Sequence, residues 1–209
     1  MRVESITLAA DGRSDRCLIP AIRWTVSQAL RARHPESLVR FDFADVRATP
    51  LDARIAEALA KYPCDVLVVH RDAEREDPSC RFDEISEARS TTNCTPTVGV
   101  VPVRMSEAWL LVSERAIRRA AGNPQGRGEL GLPKVRDLER TSDPKHVLRE
   151  AILAASEARG RRRDRLRRDL PQRIQRVANL IEDYSPLRQL SAFQRFERDL
   201  EATLHPPAT

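Results

Sequence analysis

The sequence lacks the features that identify several common classes of protein. It contains no run near the ~18 apolar residues that a membrane-spanning helix needs. Its first residues lead directly into a strand-like pattern and do not resemble a signal peptide. These absences predict a cytoplasmic protein with no membrane partner.

Motifs of well-known enzymes are also absent. The chain has no G-x-x-x-x-G-K-[ST], no G-x-G-x-x-G and no G-x-S-x-G, which argues against a P-loop, a dinucleotide fold and an α/β-hydrolase. The four cysteines are far apart and include no C-x-x-C pair, so idle reduced thiols are expected instead of a zinc site or disulfides. The four histidines lack the spacing of a metal-binding motif.

The chain is basic, with a formal net charge of +5 and a pI near 9.4. Residues 159–176 concentrate arginines against only Asp164 and Asp169. Two interpretations stay open for this segment: a solvated helix face, or a surface that contacts the phosphates of a nucleic acid. Under the second, the binding residues are Arg161, Arg162, Arg163, Arg167 and Arg168.

Alternating periodicities predict the fold class. Strand-like patterns at residues 3–9, 38–43, 66–69 and 97–103 are separated by helical patterns at 15–33, 51–62, 82–89 and 106–121. The runs ITLA, VLVV and VGVV are nearly continuous and apolar, which is typical of strands buried on both faces. We therefore predict an α/β fold with a mostly parallel central sheet and helices on both faces, followed by a helical C-terminal segment.

Three regions follow from these patterns. Residues 1–121 are predicted to form the α/β core, 122–142 a connecting loop rich in glycine and proline, and 143–209 the helical segment. Helical patterns in that segment cover 143–159, 171–184 and 185–204. These helices could clamp nucleic acid, pair the chain with a second copy or a partner protein, or only cover the sheet.

Acidic residues follow several of the predicted strands. Asp11 follows the first strand, Asp72 and Glu74 follow the third, and Glu107 follows the fourth. Ligands of open α/β sheets bind beyond the carboxyl ends of the strands, and gathered carboxylates favour a cation such as Mg²⁺. Each position also has a structural alternative: a turn for Asp11, a solvated loop for Asp72 and Glu74, and a helix N-terminus for Glu107.

Four segments together give the chain a resemblance to a known family: Asp11-Gly12-Arg13-Ser14-Asp15, Val69-His70-Arg71-Asp72-Ala73, VPVRMSEAWLL at residues 101–111 and Asp143-Pro144-Lys145. They resemble the segments of an uncharacterised bacterial family with a TOPRIM-like fold, related to the TOPRIM domain of OLD-family nucleases. The resemblance extends over nearly the whole chain, and the VPVRMSEAWLL segment is its most specific part.

The resemblance implies roles for individual residues. Asp11 would stand where TOPRIM enzymes place a glutamate that acts as general acid/base. His70 and Asp72 would occupy the two acidic places of D-x-D, although Asp72-Ala73-Glu74 allows a shifted frame. A histidine at the first place favours Mn²⁺ over Mg²⁺.

We therefore expect a divalent-metal-dependent phosphodiester hydrolase, a nuclease of DNA or RNA. The resemblance to OLD-family nucleases implies an effector in phage defence or mobile-element biology. Asp11, Asp72 and Glu107 are the predicted catalytic residues, and these three with Glu74 and His70 are the predicted ligands of Mg²⁺ or Mn²⁺. Gly12, Arg71 and Arg104 are predicted to contact phosphate. The alternative is a non-catalytic TOPRIM-like module that binds nucleic acid or protein, which the replacements at Asp11 and His70 would favour.

Overall fold

Parallel strands form the centre of the chain. A computed structural model describes residues 3–31, 38–74, 76–90 and 95–206. The strands of its four-stranded sheet are Ser5–Ala9 (β1), Arg40–Ala44 (β2), Val66–His70 (β3) and Thr97–Val100 (β4). Their order across the sheet is β2-β1-β3-β4, and each neighbouring pair is parallel. The predicted α/β fold class is confirmed.

Helices connect the strands and continue to the C-terminus. Within the described residues the α-helices are Ile19–Arg31 (α1), Leu51–Lys61 (α2), Pro78–Ser90 (α3), Glu114–Ala121 (α4), Pro144–Ala155 (α5), Gly160–Arg168 (α6), Leu170–Leu180 (α7) and Ser191–Leu204 (α8). Short 3-10 helices lie at Arg13–Leu18, Ser106–Leu110, Val135–Arg140 and Ser185–Gln189. The predicted end of the first helix, before His34, lies outside the described residues.

The sheet separates two hydrophobic cores. Alternate residues of a strand point to opposite faces, so Val66 and Val68 of β3 enter one core while Leu67 and Val69 enter the other. Helices α1 and α8 cover the first face, and α2 and α3 cover the second. Burial on both faces explains why β3 is continuously apolar.

Close packing on the second face depends on a glycine in β4. A Cβ atom at Gly99 would lie 3.0 Å from the Phe82 ring of α3. Glycine therefore lets the helix approach the strand closely. The strand itself ends at Val100, earlier than the predicted residue 103, because Pro102 has no N–H to donate to a ladder.

The helix predicted from Ser106 to residue 121 consists of two separate elements. Ser106–Leu110 forms a 3-10 helix, and α4 begins only at Glu114. The Ser113 hydroxyl accepts a hydrogen bond from the Ala116 N–H at 3.2 Å, so this serine is the N-cap of a new helix. Gly122 ends α4 in the left-handed conformation, at φ 82°.

The C-terminal helices pack on the sheet through aromatic side chains. The rings of Phe193 from α8 and Trp109 lie 5.2 Å apart in an edge-to-face arrangement. Tyr184 is buried and donates its hydroxyl proton to the Ala178 carbonyl at 2.8 Å. Asp143 caps α5, accepting a hydrogen bond from the His146 N–H at 2.8 Å. The residues after the loop thus share a core with the sheet.

None of the helices in the described ranges combines the length and the apolar character that crossing a bilayer requires.

Candidate functional site

The candidate site lies at the carboxyl ends of β1 and β3. These strands are neighbours, but the chain leaves β1 toward α1 on one face and leaves β3 toward α3 on the other. Such a switch point opens a crevice between the two connections, where α/β proteins commonly bind ligands. Residues 10–15 and 70–74 border it.

Backbone pairing continues beyond the strands and fixes this border. The Arg71 N–H donates to the Val100 carbonyl at 3.3 Å, and the Ala73 N–H donates to the Pro102 carbonyl at 3.2 Å. Glu74 and Arg104 have positive φ angles of 55° and 76°, and the Glu74 N–H donates to the Arg104 carbonyl at 3.1 Å. Asp72 is thereby held on a segment with little backbone freedom.

His70 is the last residue of β3, and its side chain is only 1% exposed. Its Nδ1 lies 3.1 Å from the Val100 carbonyl, which can only accept a hydrogen bond, so Nδ1 carries a proton. Its Nε2 lies 3.4 Å from the Asp72 Oδ1 and 3.8 Å from the Asp15 Oδ2. With Nδ1 protonated, the Nε2 lone pair is directed at these two carboxylates, a geometry that a shared proton or a bound cation would make favourable.

Asp72 contributes a partly buried carboxylate whose pKa is strongly raised. Its Oδ1 is buried and has no hydrogen-bond partner in the described residues. Burial raises the pKa of Asp72 to about 6, the nearby His70 opposes that rise, and the charges of Asp15 and Glu107 add to it. The Ser106 N–H donates to the carboxylate and also lowers this pKa.

Asp15 completes the pair of carboxylates that face His70. It lies on the 3-10 helix after β1, and the Gly12 N–H donates to its Oδ2 at 3.0 Å. Asp15 is buried at 7% exposure. No role was predicted for Asp15 from the sequence, although its place at the end of the Asp-Gly-x-Ser-Asp segment was a signal for one.

Glu107 is also buried at 5% exposure, where a charged group requires a partner. The Lys145 Nζ supplies one, at 3.3 Å from the Glu107 Oε1. Lys145 lies in the first turn of α5, so the C-terminal helices contribute to the site. From the sequence, Lys145 was only part of the Asp143-Pro144-Lys145 motif, with no predicted role.

The Cys17 thiol is buried on the same side of the sheet as these carboxylates. Its pKa is raised well above the usual range, mainly by burial and next by the negative charge of Glu107. The charges of Asp15 and Asp72 also raise it.

Asp11 has different surroundings from those three. Its carboxylate pairs with Arg54 and with Arg71, whose Nη1 lies 3.0 Å from the Asp11 Oδ1. Arg71 also pairs with Glu84 at 3.1 Å. The structure thus places Asp11 in an arginine network, while Asp15 is the residue of that segment that faces His70.

The remaining predicted residues lie around the crevice or farther along the chain. Glu74 is exposed, and the Arg104 side chain donates to the Glu74 carbonyl at 3.3 Å. On α6, Arg163 pairs with Glu150 at 3.6 Å. Leu166 is buried and anchors this helix to the rest of the chain. The other predicted arginines of α6 are exposed: Arg161, Arg162, Arg167 and Arg168.

No preassembled metal group of three or more His, Cys, Asp or Glu side chains occurs in the described ranges. Searches against family models, curated proteins and solved structures found no match to this chain. The resemblance to the TOPRIM-like family therefore stays a prediction.

Proposed function

We propose that the chain is a divalent-metal-dependent phosphodiester hydrolase that cleaves DNA or RNA. The observation that supports this function best is the contact of the His70 Nε2 with two carboxylates, one of which has a buried oxygen without a hydrogen-bond partner. In this proposal His70, Asp72 and Asp15 hold the ion, and Glu107 lies beside them.

The spacing of these atoms suits an ion. Two ligand atoms that are each about 2.1 Å from one ion, at about 90–110° to each other, lie about 3.0–3.4 Å apart. The His70 Nε2 and the Asp72 Oδ1 are 3.4 Å apart, and the Asp15 Oδ2, at 3.8 Å, needs only a small side-chain shift. The His70 Nδ1–H, held by the Val100 carbonyl, orients the ring as such partners do for metal-binding histidines.

One imidazole among carboxylates favours Mn²⁺ over Mg²⁺. Bound there, the ion would polarise a phosphoryl oxygen and lower the pKa of an attacking water. The Lys145 ammonium neutralises Glu107 and can attract the phosphate of a substrate at the same edge. Arg71 and Arg104 lie on the segments that border the crevice and are the proposed phosphate contacts.

The exposed arginines of α6 would add affinity for the phosphate backbone without reading sequence. We expect the double variant Arg161→Ala/Arg162→Ala to reduce the slope of log K against log salt for duplex DNA by about 2, since each lost phosphate contact removes about 0.9. Fluorescence anisotropy over a range of salt concentrations measures this slope.

The matched control is Arg115→Ala/Arg119→Ala, which removes the same charge from two arginines that pair with Glu182. An unchanged slope in the α6 variant, or an equal change in the control, would show that α6 is only a solvated face.

The network at Asp11 favours a second candidate, a module that binds nucleic acid or protein without cleaving it. A carboxylate that is paired with two guanidinium groups is not free to reach a substrate as general acid/base, because its oxygens already accept their hydrogen bonds.

Incubating the purified chain with single- and double-stranded DNA and RNA, in Mg²⁺, Mn²⁺ or EDTA, distinguishes the two candidates. The hydrolase gives cleavage that EDTA abolishes. Binding without cleavage in any metal supports the module instead.

The roles of the two aspartates after β1 can also be separated. Because Asp15 faces His70 and Asp11 faces arginines, Asp15→Asn is expected to lower the cleavage rate at least about tenfold more than Asp11→Asn. Single-turnover rates at saturating Mn²⁺ provide the comparison. A larger loss of rate in Asp11→Asn than in Asp15→Asn would instead support the role for Asp11 that the family resemblance implies.

A further inference from the structure

A groove between α1 and α7 lies beside the candidate site and has a different chemical character. Its volume is about 660 Å³. One wall contains Arg16, Arg23 and Trp24, and the opposite wall contains Gln175 and Asn179. Asp15 of the site and Arg16 of the groove are consecutive residues, so a bound molecule could extend from one to the other.

The charge of this groove suits an anion. Of the residues that the structure describes, Arg16 and Arg23 line it and no carboxylate does. In the part of the chain that the structure describes, neither guanidinium forms an ion pair. The nearby Asp45 is already paired with Arg13, whose Nη2 lies 2.6 Å from the Asp45 Oδ2.

Aromatic rings of the edge strand hold both guanidinium groups in place. Arg16 lies over the Phe43 ring at 4.8 Å from its centroid, and Arg23 lies over the Phe41 ring at 5.1 Å. Stacked arginines lose little conformational freedom on binding and keep their N–H donors available at the edge of the plane. The two groups are therefore prepared to contact phosphates.

The remaining lining suits a nucleobase. Ile19, Pro20 and part of Trp24 offer apolar surface, while the Gln175 and Asn179 amides can both donate and accept hydrogen bonds. A groove that combines cations with apolar and aromatic surface is typical of sites for single strands, whose bases are accessible. In a duplex, the bases are paired and cannot enter such a groove.

We infer that this groove binds a single-stranded segment of the nucleic-acid substrate, next to the position that is cleaved. The inference rests on the proposed function, because it assumes a nucleic-acid substrate. It adds that the substrate is single-stranded at the site and that Arg16 and Arg23 are its binding residues.

Binding measured in EDTA tests the groove separately from catalysis. For a labelled single-stranded oligonucleotide, Arg16→Ala/Arg23→Ala is expected to weaken binding about tenfold at low salt and to reduce the salt slope by about 1.4. Binding of the matched duplex should change less than about twofold. The control Arg127→Ala/Arg198→Ala removes the same charge from exposed arginines outside the groove.

A strand that contains 5-iodouracil provides a direct second measurement. On irradiation it is expected to crosslink to the peptide that contains Trp24, and Arg16→Ala/Arg23→Ala should reduce the yield.

Four outcomes are informative. If the groove variant and the control lose the same binding affinity for the single strand, the groove is not the binding site. If the groove variant loses the same affinity for single strands and for duplexes, the substrate is not selected as a single strand. Absence of any nucleic-acid binding would also overturn the inference. Selective loss of single-strand binding in a protein that cleaves nothing would support the groove while contradicting the hydrolase.

Discussion

Replacing Asp72 with asparagine is expected to lower metal-dependent cleavage at least about 100-fold. Loss of the groups that merely orient metal ligands costs about 10–100-fold, and a direct ligand should cost more. Asparagine has the same shape as aspartate, so the fold should be retained, but it removes the negative charge beside the His70 Nε2. Single-turnover cleavage at saturating Mn²⁺ measures the effect.

A carboxylate outside the site provides the control for this variant. Asp183→Asn removes an exposed carboxylate that accepts hydrogen bonds from Ser185, and it should leave the rate unchanged. If Asp72→Asn retains cleavage within a few-fold of the original chain, the proposed site is not where the chemistry occurs.

The same substitution is expected to stabilise the metal-free protein. Raising the Asp72 pKa from 3.8 to about 6 corresponds to at most about 3 kcal/mol of unfolding free energy. Solvent reaches 28% of the side chain, which reduces the expected gain to about 1–2 kcal/mol. For a chain of this length, the melting temperature should rise by about 2–8 °C near pH 8.

The pH dependence of this gain follows from the direction of the shift. The folded chain binds the Asp72 proton more tightly than the unfolded chain, so the ionised carboxylate destabilises the fold above about pH 6. That penalty is relieved as the pH falls from about 6 to about 4, and the two proteins should then have equal stability. Thermal unfolding in EDTA across this range measures the difference.

Asp65→Asn is a control for which the change in stability is expected to have the opposite sign. Hydrogen bonds from the Glu4 backbone lower the pKa of Asp65, so its ionised form stabilises the fold and asparagine should destabilise it at neutral pH. If the difference in melting temperature between Asp72→Asn and the original chain does not change with pH, the Asp72 carboxylate is not penalised by its surroundings. A residue that destabilises the fold while its site is empty is typically retained for binding or catalysis.

Most of the fold could be predicted from the sequence because each element carries its own periodicity. The apolar run at β3 indicated a strand buried on both faces, and the structure buries all of its residues. Boundaries were less certain where local capping competed with periodicity. Ser113 begins a new helix inside a segment whose apolar pattern predicted a continuous one.

Three of the side chains in the site, Glu107 among them, could be placed in advance, and two could not. His70 and Asp72 follow directly from the end of β3. Asp15 was not chosen over Asp11 because the direction of a side chain after a strand depends on the turn that follows, here a 3-10 helix stabilised by the Gly12 N–H. Lys145 comes from a helix far away in sequence, and only tertiary packing brings it to Glu107.

In the proposed site, His70 and Asp72 hold a divalent ion. Pulsed electron paramagnetic resonance of Mn²⁺ added to the metal-free protein, in a buffer without nitrogen, detects that ion and its ligands. We expect a coupling between the ion and an imidazole nitrogen that disappears in His70→Gln and persists in His146→Gln. Absence of bound Mn²⁺, or a coupling that survives His70→Gln, would contradict it.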